Sequence, residues 1–506
     1  MTPLGNAFVA GLAGGAAVAL VAGLGVVLMG PAVTRRMTGR LVRHLGRDPY
    51  GENLAELAPT LRKVGMVELI ELTMRAEQGG KPPSRPFGSQ RVFSPWEQLL
   101  LNPVYLHRMP TRETSQVETS TVIGPAAGRP LRLVTPIMIA GMSFGGALSS
   151  QAKVALARGA SLAGTATNTG EAYLAEERQA AERLIIQYHR GAWPNSPQNR
   201  RSILTHADAI EIQVGQGAQA STPQTTPADK MDEEMRRVFG LKPGEDAVIQ
   251  ARLDGVDSTE AFRRLVRELK REYQVPVGLK FGATHHQERE LEVALDAGVD
   301  FVVVDGAEGG THGASPTLED DTGLPTMHAL VRTVRYLDQA GKRNRVSVIA
   351  AGGLRTPGQF LKAMALGADA VYVGTAAVMA MVGTDAGKVM PFEPPTQLAL
   401  HSARLKDRLD VDQAATRVAN FINASTREMA LTAQAMGKTA LQQLRPSDLV
   451  ALDPQTAAIA GVELAYQPVL QQGQRREMPF RTPDLVTGSA DRAEEGQDDA
   501  GRHPVH

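Results

Sequence analysis

Eight short apolar runs, separated by longer amphipathic stretches, constrain this chain more than any other feature. They are Ile137–Ala140, Gly164–Thr167, Leu184–Gln187, Ile210–Val214, Val277–Phe281, Phe301–Val304, Val346–Ala350 and Ala370–Val373. Short apolar runs alternating with helical patterns mark parallel βα units. Eight of them point to an α/β protein whose strands close into a (β/α)8 TIM barrel rather than an open doubly wound sheet. The last two runs end in glycine turns, Ala351-Gly352-Gly353-Leu354-Arg355-Thr356 and Tyr372-Val373-Gly374-Thr375-Ala376. In a barrel, the loops after strands seven and eight form a phosphate site with a helix N-terminus. Glycine lets backbone N–H groups approach phosphate oxygens, and the helix dipole favours the negative charge. A phosphorylated cofactor is therefore expected there, with plain loop closure by Gly-Gly as the alternative.

The 506 residues include 54 basic and 54 acidic side chains, and 42% are hydrophobic. That supports one barrel-sized domain with extra segments and an ample core. The balanced charge gives no support to a nucleic-acid partner. Cysteine is absent, which excludes disulfides, a thiol nucleophile and cysteine-ligated iron–sulfur clusters.

No charge occurs before Arg35, and Ala7–Met29 is a run of apolar or small residues followed by Arg35, Arg36, Arg40, Arg43 and Arg47. The run is long enough to cross a bilayer, and the arginines place the remainder of the chain on the cytoplasmic side. A cleaved signal peptide would carry basic residues ahead of the run, and a soluble helix would tolerate its glycines poorly. The expectation is a single-pass cell-membrane protein with a cytoplasmic catalytic domain. Residues 1–34 are read as the transmembrane anchor, 35–116 as a helical and linker region, and 117–395 as the barrel. Residues 396–452 read as its helical extension and 453–506 as a polar tail, disordered at the end. Residues 215–260 exceed an ordinary βα loop and read as an insertion near the active-site face.

Barrel active sites lie where strands end, so the polar residues after each run are the candidates. They include Met142 and Ser143, Asn168 and Thr169 with Glu171, Gln216, Lys280, and the glycine-rich turn from Asp305 that holds Gly309, Gly310 and His312. Small-residue turns carrying single amides, hydroxyls or charges suit the wall of a flavin site. Lys280 near the ring's N1–O2 edge would stabilise the anion formed on reduction.

Five ordered blocks then carry a resemblance. They are Met142-Ser143-Phe144-Gly145, Asn168-Thr169-Gly170-Glu171, Gln216-Gly217-Ala218, Asp305 through Pro316, and Gly352-Gly353-Leu354-Arg355-Thr356. Together they resemble the FMN-binding synthase domain of the glutamate synthase family, from about Val117 to Leu452. The architecture is similar to the family's short, membrane-anchored large subunit-like members. The resemblance implies that Met142, Ser143, Asn168 and Thr169 line the flavin ring. It implies that Gln216 and Lys280 meet the ring's polar edge and the substrate carboxylates, and that Glu171 faces the substrate. Gly309, Gly310, Gly352, Gly353 and Gly374 would cradle the ribityl phosphate, with Thr375 and Ala376 donating N–H groups and Arg355 near the phosphate.

The implied activity is that of an FMN-dependent oxidoreductase acting on CH–NH2 donors, making L-glutamate from 2-oxoglutarate and ammonia through 2-iminoglutarate. The departures shape the rest. No amidotransferase domain with its amino-terminal cysteine is present in the sequence. Where the family ligates a three-iron cluster, this chain reads Gly383-Thr384-Asp385-Ala386-Gly387-Lys388-Val389-Met390. The family's Gly-Glu-Gly-Gly after the Gln-Gly-Ala block is replaced by Gln219 to Asp229. The electron donor stays open among NAD(P)H, a partner flavoprotein and a membrane carrier. The alternatives are an FMN oxidoreductase on another amino or keto acid, such as an N-alkyl glutamate, and a non-catalytic flavin-binding subunit of a membrane complex.

Plainer readings stand beside these roles. Lys280 can pair with Glu171 or Asp305, Glu171 can cap a helix, and Arg355 can bond loop carbonyls instead of phosphate. His285-His286 reads as a polar loop, since adjacent residues point apart and no metal site is expected. His312 is a candidate for acid–base work within the glycine-rich turn.

Overall fold

Alternation along each apolar run decides which residues turn inward, because successive strand side chains point to opposite faces. The computed structural model describes residues 34–43, 45–47, 62–63, 65–77, 88–112, 115–191, 197–311, 313–391 and 393–468. All eight runs form strands: β1 (Ile137–Ile139), β2 (Thr167–Asn168), β3 (Leu184–Tyr188), β4 (Ala209–Gln213), β5 (Val277–Gly282), β6 (Phe301–Asp305), β7 (Ser347–Ala351) and β8 (Ala370–Val373). They make one parallel sheet in the order β1-β8-β7-β6-β5-β4-β3-β2. Its outer strands meet where the Ile139 N–H donates to the Ala166 carbonyl at 3.0 Å, so the sheet is a nearly closed barrel.

Met138, Ile185, Ala209, Phe301, Val303, Ile349, Ala370 and Tyr372 fill the interior with Ile123, Leu131 and Leu133. The last three come from an antiparallel hairpin, Thr121–Ile123 with Leu131–Leu133, which seals the end where the strands begin. There the Gly124 N–H donates to Ser347 Oγ at 3.1 Å. The alternate strand residues, among them Ile210, Ile212, Leu279, Phe281, Val302 and Val304, pack outward against helices.

Each strand is followed by a helix: α1 (Ser150–Leu162), α2 (Ala175–Ala180), α3 (Pro197–Leu204), α4 (Thr259–Tyr273), α5 (Gln287–Ala297), α6 (Thr326–Gln339), α7 (Pro357–Ala365) and α8 (Thr375–Val382). Ser149, Ser258 and Thr356 cap α1, α4 and α7 by accepting from first-turn N–H groups. After the barrel, α9 (Val411–Ala435) lies against α1. A Cβ on Gly159 would sit 2.6 Å from Val418 Cβ and 2.8 Å from the Ala415 carbonyl, so glycine sets how close these helices come.

Between β4 and α4 the insertion forms an antiparallel hairpin, Gln224–Thr226 with Ala247–Ile249, and a helix, Glu233–Phe239. Its Met231, Met235, Phe239 and Ile249 pack on Phe144, Ala172 and Leu174, which belong to the loops after β1 and β2. The segment before the barrel forms a strand, Leu99–Leu101, antiparallel to Leu449–Ala451. The latter also pairs with Glu463–Leu464 beyond a short helix, Pro454–Ala460.

One expectation is corrected. Among the described residues no helix is long and apolar enough to cross a membrane, so the transmembrane helix and single-pass membrane placement are not upheld. The longest described helix, α9, buries Ala414, Val418 and Ile422 against the barrel and exposes polar residues elsewhere. The run Ala7–Met29 that prompted the expectation lies outside the described residues. Length and apolarity state what a segment is able to cross, not where it sits.

A buried ion pair braces the barrel mouth. Lys153 Nζ on α1 donates to the carbonyls of Asn168 (2.9 Å) and Thr169 (3.2 Å) and lies 2.9 Å from Glu177 Oε1 on α2. Burial pushes the Glu177 carboxyl up to about 7, with the Lys153 charge opposing. A carboxyl raised in the folded state stabilises the fold below its unfolded value and loses that contribution as the pH rises through the folded one. Lys153→Met should therefore cost about 3–5 kcal/mol in a denaturant titration, with a larger loss at pH 8 than at pH 5.

Candidate active site

At the end of the barrel where the strands finish, the loops surround a cavity of about 990 Å³. Its β7–β8 side is built from backbone. Gly352 and Gly353 adopt φ values of +113° and +70°, which a side chain resists. Gly374 caps α8, so the first N–H groups of that helix, on Thr375 and Ala376, have no acceptor within the helix. Gly309 and Gly310 line the same side, as does Arg355. Thr326 Oγ1 ties the neighbouring turns together, bonding Glu308 Oε2 at 2.6 Å and the Gly352 carbonyl at 2.9 Å.

The opposite side and the floor are built from side chains. Met142 and Ser143 line the cavity after β1, and Ser143 Oγ accepts from the Glu171 N–H at 3.1 Å. Gln216 Nε2 holds Gln219 Oε1 (2.7 Å) and Thr311 Oγ1 (3.2 Å). Lys280, buried at the end of β5, lies 3.5 Å from Asp305 Oδ2 on β6. Burial works against its charge, but Asp305, Glu211 and Glu171 outweigh burial and hold its pKa above the ordinary lysine value. Below Lys280, Tyr372 OH donates to Glu211 Oε2 at 2.8 Å, Gln187 Nε2 donates to Glu211 Oε1 at 2.7 Å, and Asn168 Nδ2 donates to Tyr372 OH at 3.1 Å. Burial and the Glu211 charge raise the Tyr372 phenol well above its ordinary value.

The cavity thus brings together Met142, Ser143, Glu171, Gln216, Lys280, Gly309, Gly310, Gly352, Gly353, Arg355, Gly374, Thr375 and Ala376. Asn168 and Thr169 lie one layer behind: their carbonyls receive Lys153, and Asn168 Oδ1 accepts from the Gly170 N–H at 2.9 Å. His312 lies outside the described residues. His285 and His286 stand exposed at the start of α5, away from the cavity. Sequence reasoning missed Gln187, Glu211, Gln213 and Tyr372. Each is a polar residue inside an apolar run with the inward parity of its strand, and that parity was a readable signal. It also missed Ser89 to Glu97, from which Arg91, Phe93 and Trp96 line the cavity.

Residues 100–439 match the family model described as a conserved region in glutamate synthase. The chain belongs to the glutamate synthase family. It is 34% identical over 413 residues to the glutamate synthase large subunit-like protein of Rhizobium meliloti (strain 1021), covering 77% of this chain and 92% of that one. It is 33% identical over 336 residues to the archaeal-type glutamate synthase [NADPH] of Thermotoga maritima, covering 66% of this chain and 64% of that one. Against the archaeal glutamate synthase [NADPH] of Methanocaldococcus jannaschii it is 35% identical over 318 residues, covering 62% and 61%. The chain thus spans under two thirds of the length of these last two relatives.

Membership makes this glutamate synthase family protein an oxidoreductase of the class acting on CH–NH2 donors, with FMN as its cofactor. The residues present fit that group. The β7–β8 side offers glycine backbone, a helix N-terminus and Arg355, a donor set for a phosphate. Across the cavity, Lys280 offers a donor for the polar edge of a flat ring, and Gln216, its NH2 held by Gln219 and Thr311, lines the same wall. A Cβ on Gly352 would lie 2.5 Å from Thr326 Oγ1 and 2.9 Å from the Gly306 N, so the cradle has no room for one. Gly352→Ala, which adds about 1–3 kcal/mol of backbone strain to that clash, should lower FMN affinity about 10-fold or more, read by flavin fluorescence on titrating the apoprotein.

Proposed function

We propose that this protein catalyses the synthase half-reaction, the reductive amination of 2-oxoglutarate to L-glutamate through 2-iminoglutarate, with ammonia as the nitrogen source. The observation that carries this reading is one cavity with a glycine phosphate cradle on one side and Lys280 and Glu171 on the other. FMN, when bound and reduced by the electron donor, would supply the hydride for the imine.

The chain's own residues do the rest. Lys280 keeps a fixed positive charge at the floor, where it favours negative charge on the ring edge or a substrate carboxylate. Ser143 holds the Glu171 backbone through a hydrogen bond, which sets the Glu171 carboxyl at the cavity edge. There it can accept from ammonia or from the imine N–H and orient it. The insertion and the Ser89–Glu97 segment add walls to the cavity, narrowing the space open to water. The names of the Thermotoga and Methanocaldococcus relatives make NADPH the first electron donor to try.

A second reading is favoured by one observation. Gln219, Gln224, Thr225 and Thr226 line the cavity from the stretch that departs from the family pattern. An amide- and hydroxyl-rich wall suits a keto acid with a longer polar end, and a substrate panel separates the two readings.

The test is anaerobic. The flavin of the purified protein is photoreduced, 2-oxoglutarate and ammonium are added, and the return of oxidised-flavin absorbance is followed with glutamate analysis. Reoxidation with stoichiometric glutamate is expected; flavin that stays reduced overturns the proposal. In the same assay Lys280→Met should slow reoxidation by about 100-fold or more, and unchanged turnover would remove its assigned role.

A further inference from the structure

Glu171 does not stand at the cavity edge alone. Behind it, Gln213 Nε2 on β4 donates to Glu171 Oε1 at 3.1 Å. The other end of that carboxamide, Oε1, accepts from Arg190 Nε at 3.3 Å. Arg190 follows β3 and is 1% exposed, as is Gln213. The insertion fixes it: the Arg190 carbonyl accepts from the Gln250 N–H at 3.1 Å, Gly191 bridges Ile249, and Nη1 reaches the Thr222 carbonyl at 3.5 Å.

We propose that Arg190 is a positioning residue of this site, orienting the Gln213 carboxamide so that its N–H faces Glu171 and holding the Glu171 carboxyl ready for the substrate. The argument is one of donors and acceptors. A carboxamide presents an oxygen at one corner and an NH2 at the other, while a guanidinium has only donors. Arg190 can face only the oxygen of Gln213, so the amide has one orientation and Glu171 receives a donor. Without the guanidinium the amide is free to flip and accept from the protonated Glu171 carboxyl, which favours the neutral form.

The charges around Glu171 agree. Burial raises its pKa above the ordinary value, and Arg190 is the largest opposing influence, ahead of the Gln213 hydrogen bond, Lys280 and Ser143. Asp305 and Glu211 face Lys280 from β6 and β4. His189, beside Arg190, is pushed down to about 3 by burial and by Arg200 and Arg190, so it adds no charge at neutral pH.

The inference rests on Glu171 as the substrate-facing carboxyl, and its test does not need turnover. Infrared difference titration of the FMN-loaded protein follows the protonated carboxyl C=O band that disappears in Glu171→Gln. Arg190→Met should raise the midpoint of that band by about one pH unit, tenfold in proton affinity, and Arg190→Lys by less. The same midpoint in Arg190→Met and the unaltered protein overturns the proposal. Should Arg190→Met fail to fold, Gln213→Leu decides: its midpoint must rise, and an unchanged one overturns the proposal. A shifted midpoint in a protein that does not turn over 2-oxoglutarate removes the substrate assignment alone. Turnover with an unchanged midpoint removes Arg190 alone.

Discussion

A positive charge sealed inside a barrel has to be answered from several strands at once, and Lys280 imposes that demand here. Withdrawing an ammonium from water costs several kcal/mol unless close partners compensate. Asp305 answers from β6, Glu211 from β4 and Glu171 from the loop after β2. Glu211 and Glu171 bring needs of their own, met by Gln187, Tyr372 and Gln213, with Asn168 donating in turn to Tyr372. The result is a layered polar interior at one end of an otherwise apolar barrel. Each member is held by a neighbour from another part of the barrel, so this wall of the cavity is preorganised.

The two halves of the mouth solve different problems with different materials. Around β7 and β8 the wall is glycine backbone and a helix end, the material that a close approach to an anion requires. Around β1 to β5 it must present particular charges and amides, and it does so with side chains held from behind. Lys153 belongs to that backing: it gathers two carbonyls of the loop after β2 and a carboxylate of α2. The departure of this chain from its family at the Gln219 to Asp229 stretch becomes structural rather than decorative. The insertion carrying it both lines the cavity and pins Arg190.

The barrel was legible in the sequence because each of its strands is buried on both faces and reads as an apolar run. The glycine side of the cavity was legible because glycine turns close the last two runs. The ring side was legible only in part. The positions after the runs point to Ser143, Glu171, Gln216 and Lys280, which line the cavity, but the alternation within Ile210-Glu211-Ile212-Gln213 carries equal information. An inward carboxyl and an inward amide alternate there with two outward isoleucines. Arg190 and the segment from Ser89 to Glu97 had no local signal, since their place depends on contacts far along the chain. Asn168 shows the converse: it lies within β2 rather than after it, and its side chain turns to Tyr372 rather than to the cavity.

The walls of the cavity are drawn from Ser89 at one extreme to Phe421 on α9 at the other. The strand Leu99–Leu101 pairs with Leu449–Ala451, so the ends of the barrel unit also close on each other. On a ribosome, the early strands emerge long before the residues that complete the pocket. Domains form as units once their chain is available, and here availability comes only near the end of the barrel's own coding length. Cofactor capture is thereby placed after synthesis of the barrel, and a nascent chain stalled before α9 offers the flavin an unfinished wall.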